Sequence, residues 1–313
     1  MAFPVLSEQL RAERLSQPEG ELRVVLDTDT YNEVDDQFAV VHALLSPERI
    51  SLQALYAAPF HNGRSEGPAD GMEKSYDEII RLLERLGVKA RDRVLKGSDR
   101  YLPSRSESVR SAAAEHLIEL SKSGDGPLYV TAIGAITNVA SAILMDPGII
   151  ERIVVVWLGG HPPYWRTARE FNLQQDVAAA QVVFDSGVPF VQIPCACVAS
   201  HLLTTIPELA QHVQPQGDIG QYLFDICETY RGSHPVWSKE IWDISATGWL
   251  IDADWVPSTV VPSPILTDQL TWSVDASRHN IRIAQSLRRD RIFGDLFGKM
   301  ARFATGELAP SWD

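Results

Sequence analysis

The chain has 313 residues, 45% hydrophobic and 22% charged, a balance expected of a soluble globular protein with enough residues to bury a sizeable core. Its net charge of −13 argues against a general affinity for nucleic-acid phosphates or anionic membranes, and favours attraction of cations. No apolar run is long enough to span a bilayer, and the opening MAFPVLSEQLRAERLSQPEGE is too broken by charge and proline to hold a signal-peptide core, so a cytoplasmic location is expected. Cys195, Cys197 and Cys227 make an odd set that fits a reducing compartment better than a disulfide framework. The single residue between the cysteines of PCAC is not a zinc-ligand spacing, and they read as small buried residues at a strand end.

Taken in order, residues 22–26 read as a strand followed by a helix from about Asp36; residues 52–57 as a strand followed by a helix over 72–86. A short strand at Val94 and Leu95 precedes a helix over 107–120. The alternation continues with the strand PLYVTAI, the helix TNVASAILM, the strand RIVVVWLGG, the helix DVAAAQVVFDSG and the strand PFVQIP. Strand and helix in series predict a mostly parallel (mixed) sheet with helices on both faces, a Rossmann-like α/β core. The last third reads as helical over 219–230 and 239–251, with LTWSV and IRIAQSL as a late hairpin and 291–303 as a closing helix. No repeat or linker divides the chain, so one domain is expected over 1–313, with 1–20 as an N-terminal extension and 215–255 as a helical pocket wall.

The segment VVLDTDTYNEVDDQFAVVHALL places Asp27, Asp29, Asp35 and Asp36 at a strand-to-helix turn, where open α/β sheets bind ligands. Helix capping accounts for Asp35 and Asp36 but not for Asp27 and Asp29. Four neighbouring carboxylates raise one another's pKa values unless something positive offsets them, and no Lys or Arg lies between Arg23 and Arg49. A hard divalent cation, Ca²⁺ or Mg²⁺, is the natural counter-charge for an all-oxygen site.

Two known patterns compete for this stretch. VVLDTDT fits the opening D-x-D-x-T motif of haloacid dehalogenase-like phosphatases, but the later Ser/Thr, Lys and acidic pair of that family find no ordered match, DADW at 252–255 being the one candidate pair. DTDTYNEVDDQFAV resembles the signature of the inosine–uridine-preferring nucleoside hydrolases. TAIGAITNVASAI, VVWLGGH, EFNLQQDVAAAQVVF and WDISATGWL resemble further segments of that family, in its order, so the resemblance spans residues 22–251.

The resemblance implies hydrolysis of the N-glycosidic bond of a ribonucleoside or related N-glycoside, at a Ca²⁺ site (Mg²⁺ being the second choice) at the carboxyl edge of the sheet. It implies Asp29, Asp36, Asp243 and the carbonyl of Ile133 as metal ligands, with Asp27 at or just behind the metal, and Asp29 as the base that takes a proton from a Ca²⁺-activated water. Asp35, Asn62, Glu170 and Asn172 would meet the ribose hydroxyls. Fixed carboxylates around the sugar suit an oxocarbenium-like transition state. A homodimer or homotetramer is the family expectation, with a small-molecule partner, no nucleic acid and no membrane.

Four departures mark this chain. Ile133 stands where relatives usually have Thr, and Trp242 stands where many carry a His proton donor; a Trp there is placed to stack on the base. His61, His161, His201 and His234 remain candidate acids. The turn between Asp29 and Asp35 holds five residues, TYNEV, where three are usual, which should bring Tyr31, Asn32 and Glu33 to the pocket mouth. HPPYW at 161–165 replaces a Gly/Asn loop that supplies a sugar contact. The alternatives kept open are a catalytically silent nucleoside- or sugar-binding protein on the same fold and, behind it, the phosphatase.

Overall fold

The alternation read from the sequence folds into an eight-stranded sheet flanked by helices, in a computed structural model that describes residues 3–312. After α1 (Glu8–Arg14), β1 (Leu22–Thr28), β2 (Ile50–Ala57), β3 (Val94–Lys96), β4 (Leu128–Ala132), β5 (Ile153–Leu158) and β6 (Phe190–Ile193) are parallel neighbours in the order β3-β2-β1-β4-β5-β6. The interleaved helices are α2 (Asp36–Leu44), α3 (Pro68–Arg85), α4 (Ala112–Ser121), α5 (Thr137–Met145), α6 (Phe171–Gln175) and α7 (Val177–Ser186). Both faces of the sheet are covered, which is why IVVVWL of β5 is a continuous apolar run, buried at every position. Along it Val154, Val156 and Leu158 join one core, with Phe38, Ile79 and Trp249, while Ile153, Val155 and Trp157 join the other, with Val139 and Phe184.

The strand order sets the site. The chain builds β1, β2 and β3 outward and then returns to place β4 on the other side of β1, so the carboxyl ends of β1 and β4 diverge at a topological switch point. Asp27 pairs in register with Ala132, which puts the acidic turn after β1 beside Ile133 and Gly134 after β4.

The C-terminal third departs from the sequence reading in two places. The expected 239–251 helix is split: β7 (Leu203–Thr204) pairs with β8 (Lys239–Glu240), and the helix α10 (Ile244–Ile251) starts only after Asp243, its N-cap. The expected late hairpin does not form between its two strands. β11 (Trp272–Ser273) pairs with β10 (Ile265–Leu266), while β12 (Asn280–Ala284) enters the main sheet between β6 and β9 (Ser258–Pro262), parallel to the former and antiparallel to the latter. That insertion buries Ile281 and Ile283, which a two-stranded ribbon at the surface would leave wet. The helix expected from 107 begins at Ala112, where Ser111 caps it by accepting from the Ala114 N–H at 3.1 Å. The segment 3–20 docks through buried Leu6, Leu15 and Arg11, whose guanidinium donates to the Gly187 carbonyl at 2.8 Å. α8 (Ile206–His212), α9 (Gly217–Arg231) and the closing α11 (Arg289–Ala304) complete the fold. Among the described residues no helix is long and apolar enough to cross a membrane.

Candidate active site

β1 carries Asp27 and Thr28 to the switch point, and the turn then returns to start α2 at Asp36. Asp27 accepts from the Asn138 side chain at 3.1 Å, and Thr28 donates its hydroxyl to Asp36 at 2.6 Å. Asp29 is fully buried and lies against Gly134, where a Cβ would stand 2.8 Å from its carboxyl carbon. Both Asp29 oxygens, and the second oxygens of Asp27 and Asp36, are buried without a hydrogen-bond partner. Asp35, Asp36 and Asp243 each bring an oxygen within 4.8 Å of the others.

This much desolvated negative charge moves every carboxyl upward. Burial, then Asp36 and Asp35, push Asp29 well above the ordinary range; burial, then Asp35, push Asp36 to about 7. Burial raises Asp27 to about 7, against the Asn138 hydrogen bond, and Asp243 is driven up by burial and by Asp35, Asp36 and Asp29. Orphaned hard oxygens packed this tightly fit a divalent cation, and the donor set suits no soft metal. Gly134→Ala is therefore expected to displace Asp29, lowering stability by about 2 kcal/mol and activity with it, as thermal melts and turnover assays of the variant would show.

A cavity of about 290 Å³ opens over this group, and its wall includes Asp35, Ile133, Glu170, Asn172, Trp242 and Asp243. Asn32, Glu33, Leu158, His161, Phe171 and Cys195 complete it. Six of the sequence-predicted residues are thus gathered on one wall, while Asp27, Asp29 and Asp36 are buried apart from the lining and Asn62 lies outside it. Asn62 turns its amide to Asn32, donating to the backbone and side-chain oxygens at 3.2 and 3.1 Å.

Glu170 is already occupied as the cap of α6: its carboxylate accepts from the N–H groups of Asn172, Leu173 and Gly160 at 3.0, 3.1 and 2.8 Å. Gly160 makes that contact from a left-handed φ of 73°, which explains the glycine at the end of VVWLGG. Asn172 donates its amide to the carbonyls of Ile133 and Leu158 at 2.9 and 3.0 Å, which leaves its side-chain oxygen to accept from a ligand. Cys195, expected as an inert strand-end residue, is half-buried and lines the cavity; Cys197 is exposed and Cys227 buried.

The lengthened turn is held from three sides. Arg64 lies 4.4 Å over the Tyr31 ring and donates to the Glu33 carbonyl at 2.9 Å, and the Tyr230 hydroxyl of α9 donates to the Glu33 carboxylate at 3.3 Å. Lys239 of β8, itself buried, pairs with Glu33 at 2.6 Å. Burial pulls Lys239 down, but Asp35 and Glu33 overcome it and keep the ammonium charged. Asp35 in turn rises only to about 6, because Lys239 opposes its burial. Lys239 is the functional residue that sequence reasoning missed. It stands some 200 residues from the acids it serves, in a stretch whose helical pattern carried no sign of it. Lys239→Met should cost about 3 kcal/mol, at the low end for a broken buried pair because Glu33 is partly exposed; urea melts measure it.

Comparison with known proteins places this geometry. The family model described as inosine-uridine preferring nucleoside hydrolase matches residues 24–294. The chain belongs to that family. It is 26% identical over 232 residues to a probable uridine nucleosidase 2 of Arabidopsis thaliana, covering 68% of this chain and 70% of that one. With a pyrimidine-specific ribonucleoside hydrolase RihB of Escherichia coli it shares 26% over 161 residues, spanning about half of each, 49% and 51%. Among solved structures, a purine-preferring ribonucleoside hydrolase from Gardnerella vaginalis superposes with a TM-score of 0.74 at 20% identity, over 90% of this chain and 99% of that one. A plant nucleoside hydrolase gives 0.72 at 18% over the same shares. By family the chain is an N-glycosyl hydrolase, and the phosphatase alternative is set aside.

The cavity of this nucleoside hydrolase also carries an aromatic ring and an imidazole, those of Trp242 and His161. Trp242 is half-buried in the wall, and of the four candidate acids only His161 lines it. The backbone N–H of Ala196 donates to His161 Nδ1 at 3.3 Å, and burial lowers the His161 pKa. His161 is therefore a neutral imidazole near pH 7, with its proton on Nε2.

Proposed function

We propose that this protein hydrolyses the N-glycosidic bond of a ribonucleoside or related N-glycoside, releasing free base and sugar. The observation that carries the reading is Asp29: a fully buried carboxylate with neither oxygen engaged, pushed upward by burial and by Asp36 and Asp35, which with Asp243 form a tight carboxylate group at the edge of a cavity of about 290 Å³. In this reading Asp29, Asp36, Asp243 and the Ile133 carbonyl hold a divalent cation, Ca²⁺ by family resemblance, with Asp27 behind them. Such a cation, when bound, supplies the positive charge that lowers the pKa of a water in its shell. Asp29 takes the proton of the attacking water. Asp35, Asp243 and the free oxygen of Asn172 accept the ribose hydroxyls, while Glu170 shapes the α6 turn that aims Asn172. The surrounding carboxylates favour the positive charge that develops on the ring. Trp242 and Phe171 offer aromatic faces to the base.

Release of reducing sugar from a panel of ribonucleosides and 4-nitrophenyl riboside, with added Ca²⁺ and with EDTA, tests this reading. Metal-dependent turnover of any member supports it. A panel that is bound but never cleaved would point to a silent binding protein instead.

A further inference from the structure

Two acids of the site are carried on helix starts. Asp36 is the first residue of α2 and Asp243 caps α10, so the spacing between them depends on how far one helix is shifted along the other. The two helices share one core through Phe38, Val41, Ile244 and Trp249. Apolar burial is non-directional, whereas a hydrogen bond tolerates only a narrow range of distance and angle and so fixes an offset. One such bond joins these helices. His42, fully buried in the otherwise apolar run FAVVHAL of α2, has its Nδ1 2.8 Å from the Thr247 hydroxyl of α10 and its Nε2 2.9 Å from Asp295 Oδ2 of α11. Asp295 pairs with Lys299 at 2.7 Å, Lys299 donates to the Ser46 hydroxyl at 2.9 Å, and Ser46 donates to the His42 carbonyl at 2.6 Å, which closes a ring. Asp295 accepts from Nε2–H and leaves Nδ1 to accept the Thr247 hydroxyl; a charged imidazole would donate from Nδ1 to the same oxygen, so the bridge persists in either protonation state. The order hydroxyl, imidazole, carboxylate is that of a nucleophilic triad, but Thr247 and His42 are buried and neither lines the cavity. Packing alone gives no reason for an imidazole here, since a leucine would fill the interface without the loss of hydration.

From this, and resting on the cation site of the reading above, we infer that His42 is a positioning residue: its bridge to Thr247 sets the offset between α2 and α10, and with it the spacing of Asp36 and Asp243 about the cation. The bridge is close enough to do so. It lies from residue 36 to 42 along α2, about 9 Å beyond Asp36, and from 243 to 247 along α10, about 6 Å beyond Asp243. Over so short a span a helix is stiff, so an offset fixed at His42 and Thr247 is transmitted to both carboxylates. Asp295 and Lys299 of α11 hold the imidazole from behind and fix its orientation.

Calorimetric titration of the EDTA-treated full chain with Ca²⁺ and with Mg²⁺, alongside thermal melts, tests this. Thr247→Val keeps the shape of the side chain and removes the hydroxyl, and should weaken cation binding by about tenfold, the lower end of the cost of losing a contact that orients a ligand. Thr247→Ser returns the hydroxyl and should return the affinity. His42→Leu should weaken binding at least as much as Thr247→Val. Ser46→Ala opens the ring on the side away from α10, so it should lower the melting midpoint while leaving cation affinity at the level of the parent. Thr247→Val protein that binds the cation as tightly as the parent, or a Ser46→Ala protein that loses affinity to the same extent as Thr247→Val, overturns the inference and leaves the hydrolase reading intact. A parent protein that binds neither ion overturns the inference together with the cation of that reading. Both readouts are independent of turnover, which separates this inference from the assignment of substrate.

Discussion

Replacing Asp29 by Asn is expected to lower kcat by about 10³-fold while leaving KM within a few-fold of the parent, because the substitution removes a proton acceptor and keeps the shape and one oxygen. The site makes this a clean experiment. Asp29 has no hydrogen bond to lose, so the amide breaks no existing contact, and the neutral side chain relieves repulsion with Asp36 and Asp35. The folded protein should be as stable as the parent or more so without metal, which separates lost chemistry from lost structure. Asp36→Ala should behave differently. Asp36 accepts the Thr28 hydroxyl at 2.6 Å and stands in the carboxylate group, so its truncation should abolish cation binding and turnover together. Turnover and Ca²⁺ titration calorimetry on both variants give the comparison; equal and mild losses from the two would contradict the roles assigned to them.

A second large effect is expected from pH and metal together. Carboxyls that ordinarily titrate near 3.8 are raised to about 6 at Asp35 and to about 7 at Asp27 and Asp36. A group whose pKa is higher folded than unfolded holds its proton better in the native state. Its favourable contribution is therefore complete below about pH 4 and is lost as pH rises through about 6 to 7. Metal-free protein should thus melt lower at pH 8 than at pH 5.5, by on the order of 5 °C. A divalent cation binds the ionised form of the group and reverses the trend, so added Ca²⁺ should raise the midpoint most at pH 8, in proportion to the logarithm of its concentration. Calorimetry of EDTA-treated protein at both pH values, titrated with Ca²⁺ and with Mg²⁺, reads the effect and the preferred ion. A midpoint at pH 8 that ignores both ions would remove the cation from the mechanism.

The sequence by itself determined what local chemistry determines. VVLDTDTYNEVDD announced a strand end, a turn and a helix start within thirteen residues, and the alternating pattern through PFVQIP was legible because each buried parallel strand must be a short apolar run. The acid cluster was legible for the same reason, since Asp27, Asp29, Asp35 and Asp36 share one turn. Joining Asp243 to them required resemblance to a family, because nothing local distinguishes that aspartate from any other. The tertiary structure alone decided the partners. IRIAQSL shows a strand's periodicity but not which strand it pairs with, and its place between β6 and β9 is set by the apolar surface left open there. Glu170 and Asn62 read as sugar contacts in the sequence, and only folding revealed the backbone amides and the Asn32 oxygens that hold their side chains. Lys239 is the sharpest case. The acidic turn has no basic residue nearby in sequence, and its counter-charge arrives from β8 because the fold brings that strand to the pocket mouth. Electrostatic pairing depends on distance in space, and a chain can close that distance from any sequence separation.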